Sequence, residues 1–214
     1  MTPQDPQPPL LVVDSSSPLL SVAIGRSAVA DLELESLSSR SSTALMGLID
    51  DCLTGAEVEL AQLGGVIVLS GPGSFTGLRV GMSIALGFHQ ALGLPAGTLS
   101  TFIALANRVP RPDRPILAVV RALRGEWFAQ RFLSGLAVDG EPFRIRDTEL
   151  ASRTEQLVGF GLEQVATAED PGALAGAALA LTVHFDWDPA SLTRPAYLAP
   201  PTTHHEKTTS PGGA

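Results

Sequence analysis

Apolar residues fall in short blocks, and the spacing within the blocks switches between strand and helix periods. LLVVD (Leu10–Asp14) is a continuous apolar run ending in an acid, the pattern of a strand covered on both faces. SSSP then predicts a turn, and LLSVAIG (Leu19–Gly25) and Ala28–Ser36 predict two more strands joined by Gly-Arg-Ser. DLELES alternates, which gives the third strand one solvated face. Over Ser41–Leu53 the period lengthens. Leu45, Leu48, Ile49 and Cys52 recur at helical spacing, with Ser41 or Ser42 as N-cap and Gly55 as the stop. Gly65–Ser70 is a buried-type strand, and a second helix is expected over roughly Gly77–Leu92. A short strand and a third helix follow near 99–109.

PRPDRP (Pro110–Pro115) is the clearest break and reads as a linker. Beyond it the outline repeats: strands at Ile116–Val120, Trp127–Leu133 and near Phe143–Ile145, a short helix near Arg153–Leu157, a strand near 163–166 and an Ala-rich helix at Pro171–Leu181. The expected organisation is a tail over 1–9, one α/β unit over 10–109, a second, shorter one over 110–199, and a disordered tail over 200–214. Two halves that each open with three strands before their helices predict a duplicated α/β fold.

Composition narrows the chemistry. Hydrophobic residues at 44% support a packed core, and 17% charged residues argue against a disordered chain. A net charge of -8 disfavours the chain alone as a strong nucleic-acid binder, because phosphate contacts dominate such affinity. The single cysteine excludes an internal disulfide and fits a cytoplasmic protein. The start MTPQDPQPP has neither a basic nor an apolar leader segment, and no apolar run approaches membrane-spanning length, so no membrane association is expected.

The stretch SGPGSFTGLRVG (Ser70–Gly81) invites three readings. A phosphate loop fits its place between strand and helix, but the lysine of G-x-x-x-x-G-K-[ST] is absent and G-x-G-x-x-G is missed by one residue. A nucleophile at Ser70 or Ser74 lacks the G-x-S-x-G elbow, and the histidines, His89, His184, His204 and His205, offer no evident base. Packing is the third. Gly77, Gly81 and Ala85 lie a turn apart, as do Ser83, Gly87 and Ala91, so other backbones can approach closely. The pattern alone leaves open whether this helix is buried on its own sheet or forms an interface. No H-x-x-x-H or H-E-x-x-H spacing occurs, so no metal is expected.

LLVVDSSSPLLSVAI and VIVLSGPGSFTGLRVGMSIALGFHQALGLPAGTLST together resemble the bacterial TsaB (YeaZ) family, whose motif G-P-G-S-[FY]-T-G-[LVI]-R-[IVL]-G is matched in full. The resemblance is strong over about residues 10–105. It weakens afterwards, with Pro195, Tyr197 and Leu198 matching the family's closing segment without its arginine. It implies two ribonuclease-H-like lobes of the actin/Hsp70/sugar-kinase superfamily. It also implies a non-catalytic dimerisation subunit that pairs with TsaD, the enzyme that transfers threonylcarbamoyl to adenosine 37 of tRNA. A TsaE-like ATPase would engage the pair, and the chain alone could form a homodimer. Most tRNA contact would belong to the partner, and no cofactor is implied.

The contacting helices implied are Ser41–Leu53 and Gly77–Leu92. Ser41, Leu45, Met46, Leu48, Ile49 and Cys52 of the first, and Gly77, Arg79, Gly81, Met82, Ala85 and Phe88 of the second, would lie in or beside the contact. Gly71, Pro72, Gly73, Ser74, Phe75 and Thr76 form the loop that launches the second helix. The alternative is a metallopeptidase or small-molecule kinase of the same superfamily. The chain departs from the family at Ser41, where a histidine is common, and at Arg121, where the family has an acid; the second weighs against ATP chemistry, while Asp14 keeps its family counterpart and also fits a plain strand-end cap.

Overall fold

The run Leu10–Asp14 is β1, the centre of the first sheet, in a computed structural model that describes residues 7–26, 30–37, 42–109, 114–122, 125–162, 168–169 and 171–196. Its neighbours are β2 (Leu20–Gly25), antiparallel, and β4 (Gly65–Leu69), parallel. β3 (Leu32–Ser36) and β5 (Ala96–Leu99) form the edges, giving the order β3-β2-β1-β4-β5. The second sheet has β6 (Ile116–Arg121) at its centre, with β7 (Glu126–Phe132) antiparallel on one side and β9 (Gln156–Val158) parallel on the other. β8 (Val138–Arg146) and β10 (Ala168–Glu169) complete the order β10-β9-β6-β7-β8. Strand order and directions of the first sheet therefore recur in the second, as the repeated α/β pattern predicts.

Residue parity builds the layers. Leu11, Val13, Val22, Ile24, Val66 and Val68 face α1 (Ser42–Gly55) and α2 (Phe75–Leu92). Val12, Ala23, Ile67 and Leu69 face the other way. They share one core with α3 (Thr101–Ala106), α5 (Ala175–Leu179) and the second-sheet residues Ile116, Ala118, Phe132 and Val158. The outer face of the second sheet, with Leu117, Val119, Trp127, Ala129 and Ile145, packs against Leu150 of the short helix α4 (Asp147–Leu150) and Leu162.

After α4 and β9 the chain returns to the first sheet. Ser21 Oγ accepts from Leu174 N (3.3 Å) and Ala175 N (3.0 Å), and Glu33 Oε1 accepts from Gly176 N (2.7 Å). Side chains of β2 and β3 thus satisfy the orphan amides at the start of α5. Glu33 lies on the face of β3 that alternation had assigned to solvent. Asp186 pairs with Thr98 beside β5, and Ala196 N donates to Ser70 O (2.9 Å).

Several elements differ from expectation. The helix expected near Arg153–Leu157 is displaced to Asp147–Leu150, and 156–158 is β9 instead. Leu157 and Val158 are fully buried beside Leu117 and Ala118, so the open edge of β6 captures them as a strand. The strand expected near Phe143–Ile145 is the end of the nine-residue β8. The Ala-rich helix is reduced to Ala175–Leu179, with Gly172 at positive φ (58°) breaking it upstream. α2 begins at Phe75, two residues before Gly77. Residues 27–29, the end of the Gly-Arg-Ser turn and the start of the strand expected from Ala28, together with the linker core at 110–113, the strand near 163–166 and most or all of both expected tails, fall outside the described residues, which begin at Gln7 and end at Ala196.

Candidate functional site

The glycine loop is a junction between the first strands and α2. Gly71 has φ +102°, a backbone region that favours glycine, and its carbonyl accepts from Thr101 N at 2.9 Å. Ser74 N donates to Ser16 O (2.7 Å), so the loop lies against the turn after β1. A Cβ on Gly73 would stand 2.4 Å from Ser16 O, so only glycine fits that approach. Ser74 is the N-cap of α2, its Oγ accepting from Gly77 N at 3.2 Å, which gives this serine a capping role. At the far end Gly93 closes the helix at φ 68°, and His89 Nδ1–H donates to Leu94 O (2.8 Å). That satisfies His89 within the fold.

α2 packs its first small-residue stripe inward. Gly77, Gly81 and Ala85 are buried with Leu78 and Met82. A Cβ on Gly81 would lie 2.4 Å from Ser15 Oγ, which itself donates to Gly77 O (2.8 Å). The close backbone approach that glycine permits here is to the chain's own β1 turn. On α1, Leu45, Ile49 and Cys52 are likewise buried against the first sheet. Leu45, Ile49, Cys52, Gly77, Gly81, Met82 and Ala85, expected in or beside a contact, are buried in the core beneath the outer face. Ser41 lies outside the described residues.

The outer face is made by the opposite phase of both helices. Met46 (41% exposed) and Phe75 (43% exposed) stand out among the large apolar side chains, with Leu48, Leu53, Val80, Ile84 and Phe88 half-buried around them. Thr76, Arg79, Ser83 and Gly87 are exposed along α2, and nothing lies within 4 Å of a Cβ placed on Gly87 or on Gly47 of α1. The Arg79 guanidinium lies 4.0 Å from the centroid of the Phe75 ring. Two grooves flank the helices. One of about 590 Å³ runs along Met46, Asp50, Leu53, Glu57, Leu60 and Phe88. The other, of about 520 Å³, is lined by Ser42, Phe75, Thr76, Arg79, Val80, Ser83 and Ile84. Met46, Leu48, Arg79 and Phe88 are the expected residues that the structure leaves accessible here, joined by Phe75 and Thr76 from the loop.

A second concavity, about 470 Å³, lies between the sheets. Ser16, Ser17, Ser74, Thr101, Arg121, Phe160 and Gly161 are among its lining residues. Asp14 sits beneath this surface and is fully buried. Its Oδ1 accepts from Ser16 N (2.8 Å), Ser16 Oγ (2.6 Å) and Ser17 N (3.3 Å), and its Oδ2 from Ser17 Oγ (2.6 Å). Burial pushes its carboxyl above the usual range, opposed by those donors. The acid is sealed into the turn, in line with the strand-end cap expected as the alternative to a metal-facing role. Arg121 is also occupied: it pairs with Asp147 (2.7 Å) and stacks on the Trp127 ring at 4.6 Å, while Trp127 Nε1–H donates to the same carboxylate. Among the described residues no three His, Cys, Asp or Glu side chains come together as metal ligands, and no helix is long and apolar enough to cross a membrane.

Sequence reasoning singled out Ser83 and Gly87 as a small-residue stripe but did not place Asp50, Glu57 and Val80 on the outer face. One signal for that face was present. Arg79 is the only formally charged residue of α2, so it marks the solvent phase of the wheel and places Phe75, Ser83 and Gly87 near it.

Comparisons with known proteins identify the family and the fold. A family model described as "TsaD: tRNA N6-adenosine threonylcarbamoyltransferase" matches residues 35–186. The Escherichia coli tRNA threonylcarbamoyladenosine biosynthesis protein TsaB is 27% identical over 156 residues, 70% of this chain and 68% of that protein. The Bacillus subtilis protein of the same description is 28% identical over 122 residues, 55% of this chain and 52% of that protein. An uncharacterized protein of Mycobacterium leprae is 36% identical over 88 residues, 41% of this chain but only 24% of that protein. The structure titled "YeaZ from Pseudomonas aeruginosa" superposes with a TM-score of 0.69 at 24% identity, covering 82% of this chain and 90% of that one, a likeness of fold. With that family model matched over most of its length and TsaB proteins among its relatives, the chain belongs to the TsaD family of tRNA N6-adenosine threonylcarbamoyltransferases and, within it, to the TsaB/YeaZ group.

Proposed function

We propose that this chain is a non-catalytic cytoplasmic subunit in tRNA threonylcarbamoyladenosine synthesis, and that it binds and activates a TsaD-like threonylcarbamoyltransferase through the outer face of α1 and α2. The observation that carries this is that face itself: two adjacent helices present Met46 and Phe75 among half-buried apolar side chains, with open backbone at Gly47 and Gly87. An apolar surface of this kind, rimmed by polar residues, is the signature of a protein contact. Family membership supports this choice of partner, since relatives are described as TsaB biosynthesis proteins and the matching family model is that of TsaD. The cleft supports a subunit without its own chemistry, since Asp14 is buried beneath Ser16 and Ser17 and the exposed Arg121 is paired with Asp147. A TsaE-like ATPase engages the assembled pair, most tRNA contact falls to the partner, and the free chain covers the same face by self-association.

The test is threonylcarbamoyl transfer to tRNA by the cognate TsaD-like subunit, TsaE-like ATPase and threonylcarbamoyl-adenylate synthase, with and without this chain. Transfer that requires the chain, while the chain alone transfers nothing and hydrolyses no ATP, is the expected result. Equal transfer without it would overturn the reading.

A further inference from the structure

The turn after β1 and the start of α3 meet in the cleft between the sheets. Ser16 and Thr101 line that cleft and are buried, at 3% and 2% exposure, with their hydroxyl oxygens 3.0 Å apart. Asp14 decides which of the two donates. Its Oδ1 accepts from the Ser16 and Ser17 amides and also takes the Ser16 hydroxyl hydrogen, at 2.6 Å. A hydroxyl has one hydrogen to give, so Thr101 donates to Ser16 Oγ. The row from Thr101 through Ser16 to Asp14 therefore runs inward. Thr101 Oγ1 is left with acceptor lone pairs in the cleft, and no other described residue donates to it. Backbone donors are spent as well. Ser16 N and Ser17 N go to Asp14, Ser74 N to Ser16 O and Thr101 N to Gly71 O, while Pro18 and Pro72 have no N–H. A phosphate needs free amides of this kind. Arg121 is the one charged residue of the lining, and Asp147 meets its charge. Leu105, Val119, Val120 and Phe160 make the rest apolar. The volume of about 470 Å³ is that of a small-molecule site.

We propose that the cleft binds a small uncharged organic molecule with an N–H or O–H donor on an apolar body, and that it discriminates against phosphates and other anions. The donor meets Thr101 Oγ1, and the body lies against Leu105, Val120 and Phe160. A donor is selected because a ligand with acceptors alone would cover Thr101 Oγ1 and leave it unpaired. The cleft shares no lining residue with the two grooves beside α1 and α2, so the proposal stands apart from the reading of that face.

The experiment titrates the full, isotope-labelled chain with benzamide, methyl benzoate, benzoate and pyrophosphate, and follows the amide resonances of Thr101, Val120 and Phe160. Benzamide carries an N–H donor, methyl benzoate has the same ring without a donor, and benzoate is the matching anion. Benzamide is expected to shift these resonances and to bind about tenfold more tightly than methyl benzoate or benzoate, the worth of one hydrogen bond to a buried acceptor. Pyrophosphate should shift none of them. Thr101→Val keeps the shape but removes the oxygen and should abolish the preference, which Thr101→Ser should restore. Should Thr101→Val not fold, the ranking of the probes on the parent chain still decides. Equal binding of the three aromatic probes overturns donor selection. Tighter binding of benzoate or pyrophosphate assigns the cleft to anions held by Arg121 and also overturns the proposal. Absence of a shift with every probe overturns the site itself and leaves the subunit reading, tested by transfer, untouched.

Discussion

Three glycines of the loop and α2 carry different physical demands, and each predicts a different outcome. At Gly73 a Cβ meets the backbone carbonyl of Ser16 at 2.4 Å, and backbone cannot swing aside. Gly73→Ala should cost about 2–3 kcal/mol in urea unfolding. At Gly81 the obstacle is the Ser15 hydroxyl, which can rotate if it gives up its bond to Gly77 O. Gly81→Ala should cost less, about 1 kcal/mol, since helix propensity returns part of the loss. Gly87 has open space, so Gly87→Ala should stabilise the free chain by about 0.5–1 kcal/mol. Cys52 gives a pH prediction. Burial, with Glu33 nearby, raises its thiol from 9.0 to about 11. The folded value lies above the unfolded one, so the stability this thiol contributes is complete below pH 9.0 and is lost as pH rises toward about 11. Cys52→Ala should flatten that limb of the stability–pH curve, apart from a constant loss for the smaller side chain.

At the scale of elements, α1 and α2 divide their work by phase. Inward residues hold them to the sheet, and outward residues face away from it. Phe75→Asp should therefore leave the thermal midpoint within a degree or two while weakening partner binding by about tenfold or more, read by titration calorimetry. A fall in both together would return Phe75 to a purely structural role. The five-residue α5 has a different dependence. Too short to persist alone, it is held by Ser21 and Glu33 at its first amides. Glu33→Ala should cost about 1 kcal/mol and speed amide exchange across α5 more than across α1.

At the scale of the molecule, one core spans both sheets through α3 and α5. Shared burial of this kind couples the halves, so they should unfold together. The two tryptophans report on this directly. Trp127 is buried in the second sheet, while Trp187 lies beside Gly65 at the start of β4 in the first. Single-tryptophan variants made with Phe at the other site should give coincident urea midpoints by fluorescence. Separated midpoints would mean two independently folding halves. The same coupling bears on the cleft, whose walls come from both sheets.

The sequence by itself determined the strands that are apolar on both faces, the helical phase of α1 and α2, the loop between β4 and α2, and the repeat of the strand plan. These follow from local period, caps and glycines, which act over a few residues. Only the tertiary structure decided what the small-residue phase of α2 packs on, because Gly77, Gly81 and Ala85 read alike for a sheet and for a partner until Ser15 is placed against them. It also decided that 156–158 is a strand, since the open edge of β6 outweighs a weak helical signal. The pairing of Arg121 was decided the same way, since it meets Asp147 across 26 residues, whereas Asp14 meets its donors two and three residues on, within its own turn.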